Sequence, residues 1–228
     1  MHSGKTFLAI IPARGGSKRL PGKNLLNLNG KPLIVWSINA GLKSQYIDEV
    51  LVSSDDDKIL TVAKDSGSNT IKRPKVLATD TATTFDAVEH AMTSARNYDF
   101  IVLLQPTSPL RTARHIDEAI EMLNEKNADA IISVTKTEHS PLWCNTLPDD
   151  GDMSAFIKDE IKSTRSQDLP DFYRLNGAIY IVKSSALLAQ KTFFIKENIF
   201  SYVMDAKDSV DIDNEIDFKF AQVFMANE

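Results

Sequence analysis

Positive charge is concentrated in one short loop near the start of the chain. The stretch "RGGSKRLPGKN" follows an apolar run and contains four cations, Arg14, Lys18, Arg19 and Lys23, together with three glycines, Gly15, Gly16 and Gly22. Glycine lets backbone N–H groups approach a ligand closely, and clustered cations focus positive potential. The loop is therefore predicted to bind an anion, for which a phosphate chain is the natural candidate.

The spacing of the glycines distinguishes this loop from two common phosphate-binding motifs. Walker A needs four residues between its glycines and then Lys and Ser or Thr. Here five residues separate Gly16 from Gly22, and Asn24 follows Lys23. The fingerprint G-x-G-x-x-G is also absent from the loop. A solvated turn with solubilising lysines is the alternative that these local features leave open.

A second polar group follows a predicted strand in the middle of the chain. In "LLQPTSPLR", Gln105, Thr107 and Ser108 stand at the carboxyl end of an apolar run, and two prolines stiffen the backbone. Uncharged hydrogen-bonding groups on a rigid turn suit the hydroxyl and N-acyl groups of a sugar. The alternative is a proline-flanked turn with local hydroxyl caps.

Two aspartates near the end of the chain have the spacing of a metal-binding pair. In "SVDIDNEIDF", Asp211 and Asp213 alternate with apolar residues, so an extended segment would project both carboxylates from one face. Mg²⁺ typically takes one or two carboxylates together with phosphate oxygens and water. The alternative is helix capping, with Asp213 as N-cap of a helix whose apolar stripe is Ile216, Phe220 and Val223. Capping leaves Asp211 without a role.

Composition excludes several other classes of protein. The 228 residues carry a formal net charge of −5, which argues against nucleic-acid binding because a polyanion usually needs a net basic face. The single cysteine, Cys144, cannot form an intramolecular disulfide. No histidine has a spacing that pairs it with a nucleophile or a metal ligand. The first apolar run is too short for a signal peptide or a membrane span, so a cytoplasmic protein without membrane contact is expected.

The elements that must position these residues alternate between two kinds. Short β-rich runs are predicted at 7–11, 49–53, 100–104, 130–135 and 177–182. Helical periodicity is found between them at 32–44, 56–66, 83–96 and 112–126. This alternation predicts an α/β fold in which helices cover both faces of a mostly parallel sheet. We expect a single domain over residues 1–228.

The alternation breaks at about 137–172. This segment contains three prolines and little periodicity, and it is long for a loop in a compact domain. We therefore predict a small protruding subregion with its own hairpin. Its apolar residues, Trp143, Leu147, Met153 and Phe156, favour contact with a partner subunit.

Five stretches in order resemble the motifs of the cytidylyltransferases that activate sialic acids as CMP-sugars. They are "IPARGGSKRLPGKN", "KRPKVLATDTATT", "LLQPTSPLR", "YRLNGAIYI" and "SVDIDNEIDF". The resemblance spans essentially the whole chain. It implies the Rossmann-like nucleotide-diphospho-sugar transferase fold, CTP as donor, Mg²⁺ as cofactor and a homodimer. The implied reaction is attack of the anomeric hydroxyl of a nine-carbon keto sugar acid on the α-phosphate of CTP, with release of pyrophosphate.

The resemblance also implies roles for individual residues. The triphosphate would be held by Arg14, Ser17, Lys18 and Lys23. The nucleoside would be held by Asn24, Arg73 and Thr84. The sugar would be surrounded by Gln105, Thr107, Ser108, Asn176, Tyr180, Phe193 and Phe194. Mg²⁺ would be bound by Asp211 and Asp213.

Three of these residues are expected to be catalytic. Lys23, nearest the α-phosphate, would stabilise the charge that develops in the transition state, and Arg14 would assist it. A metal joining Asp213 to the anomeric hydroxyl would lower the pKa of that hydroxyl. For Arg73 and Thr84, a solvent-facing loop and a helix cap remain alternatives. Tyr180, placed by period-two alternation on the same face as Asn176, could equally belong to the core.

The sequence departs from the family pattern at two positions. Arg19 stands where many sialate enzymes have glycine. In this respect the loop is more similar to the related cytidylyltransferases for Kdo. Trp143 stands where some bacterial sialate enzymes carry a basic residue near the sugar carboxylate. Arg165 is then the candidate to grip that carboxylate. Sialic acid is the first expectation for the substrate, with legionaminic acid, pseudaminic acid or Kdo as alternatives. From a different class, a non-catalytic nucleotide-binding relative also remains open.

Overall fold

A single seven-stranded sheet forms the centre of the molecule. The computed structural model describes residues 4–226, so the two ends of the predicted 1–228 domain lie outside the described residues. The strands lie in the order β5-β4-β1-β6-β8-β7-β9. Their bounds are β1 Phe7–Pro12, β4 Glu49–Ser54, β5 Asn69–Lys72, β6 Phe100–Leu103, β7 Ala130–Lys136, β8 Tyr173–Lys183 and β9 Ile199–Val203. Two short strands, β2 Asn27–Leu28 and β3 Lys31–Pro32, form a separate antiparallel pair.

The predicted mostly parallel sheet is confirmed. Strands β1, β4, β5 and β6 pair in parallel, as do β7 and β9, whereas β8 is antiparallel to both of its neighbours. Parallel neighbours need a crossover connection, usually a helix. The segment between β7 and β8 contains no α-helix, and the chain returns beside the strand it has just left.

All five predicted strands are present, but the two edge strands are additional to the prediction. Strand β5 is short and mostly exposed, with Ile71 as its one apolar residue, so it lacks an apolar run. Strand β9 is likewise exposed at most positions. An edge strand buries little side-chain surface, which removes the hydrophobic pattern on which a sequence-based prediction depends.

Helices cover both faces of the sheet. They are α1 Leu33–Lys43, α2 Asp57–Asp65, α3 Thr84–Met92, α4 Ala113–Glu125, α5 Ser184–Gln190 and α6 Glu215–Ala226. Of these, α1 to α4 match the predicted helical windows, and α5 was not predicted. Strand β1 shows the two faces directly, because Phe7, Ala9 and Ile11 pack into one core cluster while Leu8 and Ile10 pack into the other. None of the helices in residues 4–226 combines the length and the apolarity needed to cross a membrane.

Helix α6 packs through a different stripe from the predicted one. Ile216, Phe220 and Val223 are exposed. Ala221, which lies between them in the sequence, is fully buried against a small cluster with Leu28. The apolar residues of this helix occupy more than one face, so periodicity alone did not identify the packed side.

The segment 137–172 is an irregular excursion, and the predicted hairpin within it is absent. All of its residues are described, and they form three single 3₁₀ turns and no strand. Its base is closed where the N–H of Thr137 donates to the carbonyl oxygen of Phe172 at 2.9 Å. Of its apolar residues, Leu147 and Met153 are exposed, while Trp143 and Phe156 are half-buried. Prolines and clustered acidic residues interrupt the alternation that a hairpin would need.

Candidate functional site

A cleft of about 630 Å³ opens at the carboxyl ends of β1, β5 and β6. This is the edge where ligands bind in open α/β sheets. The cleft brings together most of the predicted site residues: Arg14, Ser17, Lys18, Lys23, Asn24, Arg73, Thr84, Gln105, Thr107 and Asp213. Motifs that are up to about two hundred positions apart in the chain therefore meet at one site.

The cation-rich loop is held in place by contacts made from neighbouring elements. The backbone N–H of Gly15 donates to Asp55 Oδ1 at 3.0 Å. A Cβ added to Gly15 would lie 2.8 Å from Asp56 Oδ2, so this position has no room for a side chain. Asn24 is buried, and its Nδ2 donates to the carbonyl oxygen of Arg14 at 3.0 Å. Asn24 therefore closes the loop on itself, a role that the sequence did not indicate.

Asp80 neutralises two of the loop cations. Its carboxylate lies 2.9 Å from Arg14 Nη1 and 2.6 Å from Lys18 Nζ. The hydrogen bond from Lys18, with a smaller contribution from Arg14, lowers the pKa of Asp80. The sequence analysis missed this residue. The signal that could have found it is that Asp80 is the one acidic residue in "KRPKVLATDTATT".

Asp213 plays the same part for the other two cations. Arg19 Nη1 lies 2.8 Å from Asp213 Oδ2, and Lys23 Nζ lies 3.6 Å from Asp213 Oδ1. Lys23 also donates to the carbonyl oxygen of Ile212 at 2.5 Å, and its side chain is only 11% exposed. Arg19, which the sequence analysis treated as a departure, is therefore a partner of the predicted metal ligand.

The capping alternative for Asp213 is wrong. The N-terminus of α6 is capped by Asn214, whose Oδ1 accepts hydrogen bonds from the N–H groups of Ile216 at 2.8 Å and Asp217 at 3.2 Å. Asp217 in turn accepts a bond from the N–H of Asp213 at 2.9 Å. The side chain of Asp213 is therefore not needed to cap the helix and faces the cleft.

Asp211 lies beside the cleft, with the buried Ile212 between it and Asp213. The N–H of Ile212 donates to the carbonyl oxygen of Thr107 at 2.8 Å, which ties the acidic segment to the polar turn. Partial desolvation raises the pKa of Asp211, a hydrogen bond from Thr107 opposes that shift, and the charge of Asp213 adds to it.

The acidic pair suits an ion that brings further ligands with it. Among residues 4–226, no group of three or more His, Cys, Asp or Glu residues could hold a metal by itself. Asp211 and Asp213 supply two hard oxygen ligands beside a cationic loop, and Mg²⁺ takes its remaining ligands from phosphate and water. The residues present therefore fit Mg²⁺ bound together with a phosphate ligand.

Two of the predicted nucleoside residues, Arg73 and Thr84, also line the cleft. Arg73 is buried, and within residues 4–226 its Nε and Nη2 atoms have no hydrogen-bond partner. Burial lowers its pKa, and the nearby Asp55 partly opposes the shift. The cap of α3 is Thr83, which forms a capping box with Asp86, so Thr84 is not the cap. The solvent-facing and capping alternatives for Arg73 and Thr84 are therefore wrong.

The polar turn divides into residues that reach the cleft and one that does not. Gln105 and Thr107 line it. Ser108 is fully buried and donates to the carbonyl oxygen of Asn176 at 3.1 Å. The predicted sugar contact of Ser108 is therefore not available in this structure, because its hydroxyl joins the turn to β8.

Asn176 is likewise an interior residue. Its Oδ1 accepts bonds from Ser133 Oγ at 2.6 Å and from the N–H of Ala178 at 3.2 Å, and its Nδ2 donates to Ser209 Oγ at 3.0 Å. Asn176 is fully buried, so the direct sugar contact predicted for it is not supported. Its amide instead joins β7 and β8 to the segment that leads to Asp211.

Tyr180 does not share a face with Asn176, contrary to the prediction. Gly177 has φ +71, and the pairing of β7 with β8 shifts register between Ile132 and Val134. These irregularities break the period-two alternation on which the prediction depended. Tyr180 belongs to the core cluster that contains Leu8 and Ile10, whereas Asn176 Nδ2 donates to the Sδ of Met204 in the cluster that contains Phe7 and Ile11.

Tyr180, Phe193 and Phe194 form an aromatic group, and none of the three is among the residues that line the cleft. Phe193 and Phe194 pack edge-on against its ring, with centroids 5.9 Å and 6.2 Å away. Burial, with a smaller contribution from the charge of Asp211, raises the pKa of Tyr180. Phe193 is buried and Phe194 is exposed.

Arg165 and Trp143 lie outside the cleft. Both belong to the excursion, and Arg165 is exposed. Neither lines the 630 Å³ cavity, so the chain does not bring the predicted carboxylate-binding cation to its own site.

Comparison with known proteins agrees with this arrangement. A family described as cytidylyltransferase matches residues 8–221. The N-acylneuraminate cytidylyltransferase of Escherichia coli O18:K1:H7 is 37% identical over 94% of this chain and 51% of its own length. The CMP-N,N'-diacetyllegionaminic acid synthase of Legionella pneumophila is 34% identical, with 96% of each chain covered. A pseudaminic acid cytidylyltransferase of Campylobacter jejuni is 34% identical over 95% of this chain and 94% of its own.

A solved structure shows the same fold. It is a CMP:2-keto-3-deoxy-manno-octonic acid synthetase complexed with CTP, which superposes with a TM-score of 0.74 at 19% identity and covers 97% of this chain and 99% of that one. The chain spans about half the length of the first curated relatives that it matches. The family match covers most of its residues, and the chain belongs to the cytidylyltransferase family.

Proposed function

We propose that this protein transfers CMP from CTP to the anomeric hydroxyl of a sialic-acid-type sugar acid. The observation that carries the proposal is the meeting of the cationic loop, Asp213 and the polar turn around one cleft. In the reaction, the sugar oxygen forms a bond to the α-phosphorus while the bond from that phosphorus to the bridging oxygen breaks. The hydroxyl proton is lost and pyrophosphate leaves.

The loop cations would bind the triphosphate by exchanging their partners. In the ligand-free chain, Arg14 and Lys18 are paired with Asp80, and Arg19 and Lys23 with Asp213. A triphosphate carries more negative charge than either carboxylate, so it can replace them at the cations. Arg14 and Lys18 would then hold the outer phosphates.

Lys23 is the cation best placed to act in the chemical step. Its largely buried ammonium lies between the loop and the acidic segment, where nearby water is limited. There it would stabilise the negative charge that develops on the α-phosphate. Asp211 and Asp213 would hold Mg²⁺, which when bound neutralises phosphate charge and lowers the pKa of an oxygen ligand.

The class of acceptor is supported more firmly than its identity. Relatives named for N-acylneuraminate, legionaminic acid and pseudaminic acid match at 37%, 34% and 34% identity. We place N-acylneuraminate first, with the other two acids next and Kdo as a further alternative. Gln105 and Thr107 would donate and accept hydrogen bonds to the sugar, and the aromatic group around Tyr180 would border it.

We also propose that the protein acts as a homodimer. The sugar acid needs a cation for its carboxylate, and Arg165 lies outside the cleft of its own chain. The excursion at 137–172 carries exposed Leu147 and Met153, which a second copy could cover. Each excursion would then supply Arg165 to the other subunit's sugar pocket. The cytoplasmic location stays a prediction from the sequence.

The deciding experiment is pyrophosphate release from CTP and Mg²⁺ with a panel of sugar acids. The panel contains N-acetylneuraminic, legionaminic, pseudaminic and Kdo acids, each also tested without enzyme. Turnover with a nine-carbon acid is expected. No product with any of the four would contradict the proposed function and favour a non-catalytic nucleotide-binding protein.

The variant Lys23→Ala tests the role of the catalytic cation. Its kcat is expected to fall by roughly a hundredfold, with a smaller rise in the KM for CTP, because the contact strengthens as charge develops. Arg14→Ala, which removes a binding cation, should instead affect both parameters. An unchanged kcat in Lys23→Ala would show that Lys23 only binds the substrate.

A further inference from the structure

Arg111 is a buried cation that the mechanism above does not use. It is the last residue of the motif "LLQPTSPLR" but does not line the cleft. Its side chain is among the most deeply buried in the molecule, with the residue only 2% exposed. Within residues 4–226 it forms no ion pair with a carboxylate, and burial alone accounts for the shift of its pKa.

The guanidinium joins two strands at the point where their backbone pairing stops. Arg111 Nη1 donates to the carbonyl oxygen of Ala178 at 2.8 Å and to that of Gln105 at 3.3 Å. The antiparallel pairing of β6 with β8 ends at Leu103 and Tyr180. Gln105 and Ala178 would face each other two positions beyond this last pair, and Pro106 turns the chain away there. A side chain therefore replaces the missing hydrogen bond between the strands.

This junction lies directly behind the sugar end of the cleft. The side chain of Gln105 faces the cleft, and its Oε1 lies 2.9 Å from the position that a Cβ on Gly177 would occupy. Asp211 Oδ2 lies 3.5 Å from the same point. The two carbonyl groups that Arg111 holds thus belong to Gln105 itself and to the residue that follows Gly177.

The fold alone does not account for a cation at this position. Arg111 Nε and Nη2 are buried and have no hydrogen-bond partner among the residues that the structure describes. Burial lowers the pKa of Arg111 to about 9, which means that the folded protein disfavours its charge. A buried charge without a counter-ion destabilises a protein, and an apolar side chain of similar volume is often neutral or stabilising in its place.

We propose that Arg111 is a positioning residue that fixes Gln105 and the Gly177 turn for the sugar acid. The assignment rests on the proposed function, because it is the sugar that Gln105 would bind there. It acts through the two carbonyl groups and touches no substrate. Its hydrogen bonds within residues 4–226 go to Gln105 and Ala178, and none goes to the loop at 14–24 or to Arg73, which would form the CTP half of the cleft.

The test compares Arg111→Met with wild type and with Arg114→Met. Arg114, the second residue of α4, has a side chain that is 75% exposed and pairs with Glu118 at 3.5 Å, so its variant controls for the loss of an arginine. In Arg111→Met, the KM for the sugar acid should rise at least tenfold while the KM for CTP stays within twofold. The Tm should be equal or higher. Arg111→Lys, which keeps a buried donor, should recover part of the sugar-acid KM.

Amide hydrogen exchange in the substrate-free protein supplies a readout that needs no turnover. The peptides covering 104–108 and 176–179 should exchange at least tenfold faster in Arg111→Met, while strands β1 and β4 keep their rates. Unchanged exchange, an unchanged sugar-acid KM, or loss of folding in Arg111→Met would each overturn the proposal. If wild type accepts no sugar acid, the proposed function fails, and the exchange rates still decide the role of Arg111.

Discussion

At the scale of single residues, the acidic and cationic groups of the cleft hold one another in place. Asp213 contacts Arg19 and Lys23, and Asp80 contacts Arg14 and Lys18. Most of these side chains are partly exposed, so the pairs add little to the stability of the fold. In the proposed mechanism, each carboxylate would occupy the cations until a substrate with more negative charge replaces it.

The substitution Asp213→Asn separates a metal-binding role from a structural one. We expect kcat to fall roughly a hundredfold, because an amide is a poor ligand for Mg²⁺ and cannot replace the lost charge. The Tm should change little, since Asn214 caps α6 and the ion pair with Arg19 is exposed. Pyrophosphate release titrated with Mg²⁺, together with thermal unfolding, measures both quantities.

The matched control for this experiment is Asn214→Ala. Loss of the cap should lower the stability by about 1 kcal/mol while leaving kcat nearly unchanged. Asp213→Asn is thus expected to lower kcat and keep the stability, whereas Asn214→Ala is expected to lower the stability and keep kcat. A near wild-type kcat for Asp213→Asn at saturating Mg²⁺ would refute the metal assignment.

At the scale of elements, the cationic loop depends on the helix that follows the neighbouring strand. Asp56 is the N-cap of α2, and its Oδ1 accepts a bond from the N–H of Lys58 at 2.7 Å. The preceding residue, Asp55, accepts the bond from Gly15. The end of β4 therefore supports both the helix and the loop, and a change at Gly15 should affect both.

The pair Gly15→Ala and Gly16→Ala tests this coupling. A Cβ on Gly15 would meet Asp56 Oδ2 at 2.8 Å and Asp56 Cβ at 3.0 Å, whereas a Cβ on Gly16 would meet nothing within 4 Å. Displacing the cap should destabilise the protein by about 1–2 kcal/mol and raise the KM for CTP. Gly16→Ala should stay within about 0.5 kcal/mol of wild type. Urea unfolding and CTP titration measure the two effects, and equal behaviour of the two variants would contradict the coupling.

At the scale of the whole molecule, the described part of the chain does not bring the predicted carboxylate-binding cation to the cleft. The loop cations and Arg73 line the cleft, while Arg165 stands on the excursion outside it. A homodimer that exchanges excursions would complete the pocket through a closed, symmetric interface. This arrangement makes a prediction about mixtures of two inactive variants.

Mixing Lys23→Ala with Arg165→Ala is expected to restore activity. In a mixed dimer, the subunit with an intact Lys23 would receive an intact Arg165 from the other subunit. Random reassociation should then recover roughly a quarter of wild-type turnover, because half of the dimers would carry one complete site. Each variant mixed with itself is the control. No recovery after verified subunit exchange, or a fully active monomer in sedimentation, would rule out the shared site.

The features that the sequence determined by itself are those set by residues close together in the chain. The apolar runs of the five predicted strands, the cations between Arg14 and Lys23 and the turn at Gln105 could be predicted because neighbouring residues set them. The gathering of these motifs at one edge followed from the general rule for parallel sheets. The edge strands β5 and β9 escaped prediction because they bury too little surface to leave a pattern.

The tertiary structure decided what depends on contacts between distant residues. Asp213 and Arg19 are 194 positions apart, so no local pattern could pair them. Gly177, with φ +71, interrupts the alternation of β8, so that Ala178 and Tyr180 enter different core clusters. Arg111 donates to Gln105 and Ala178 at the point where β6 and β8 separate, which no local pattern in the sequence indicates. A side chain's type is read from the sequence, but its direction is set by the packing of the elements around it.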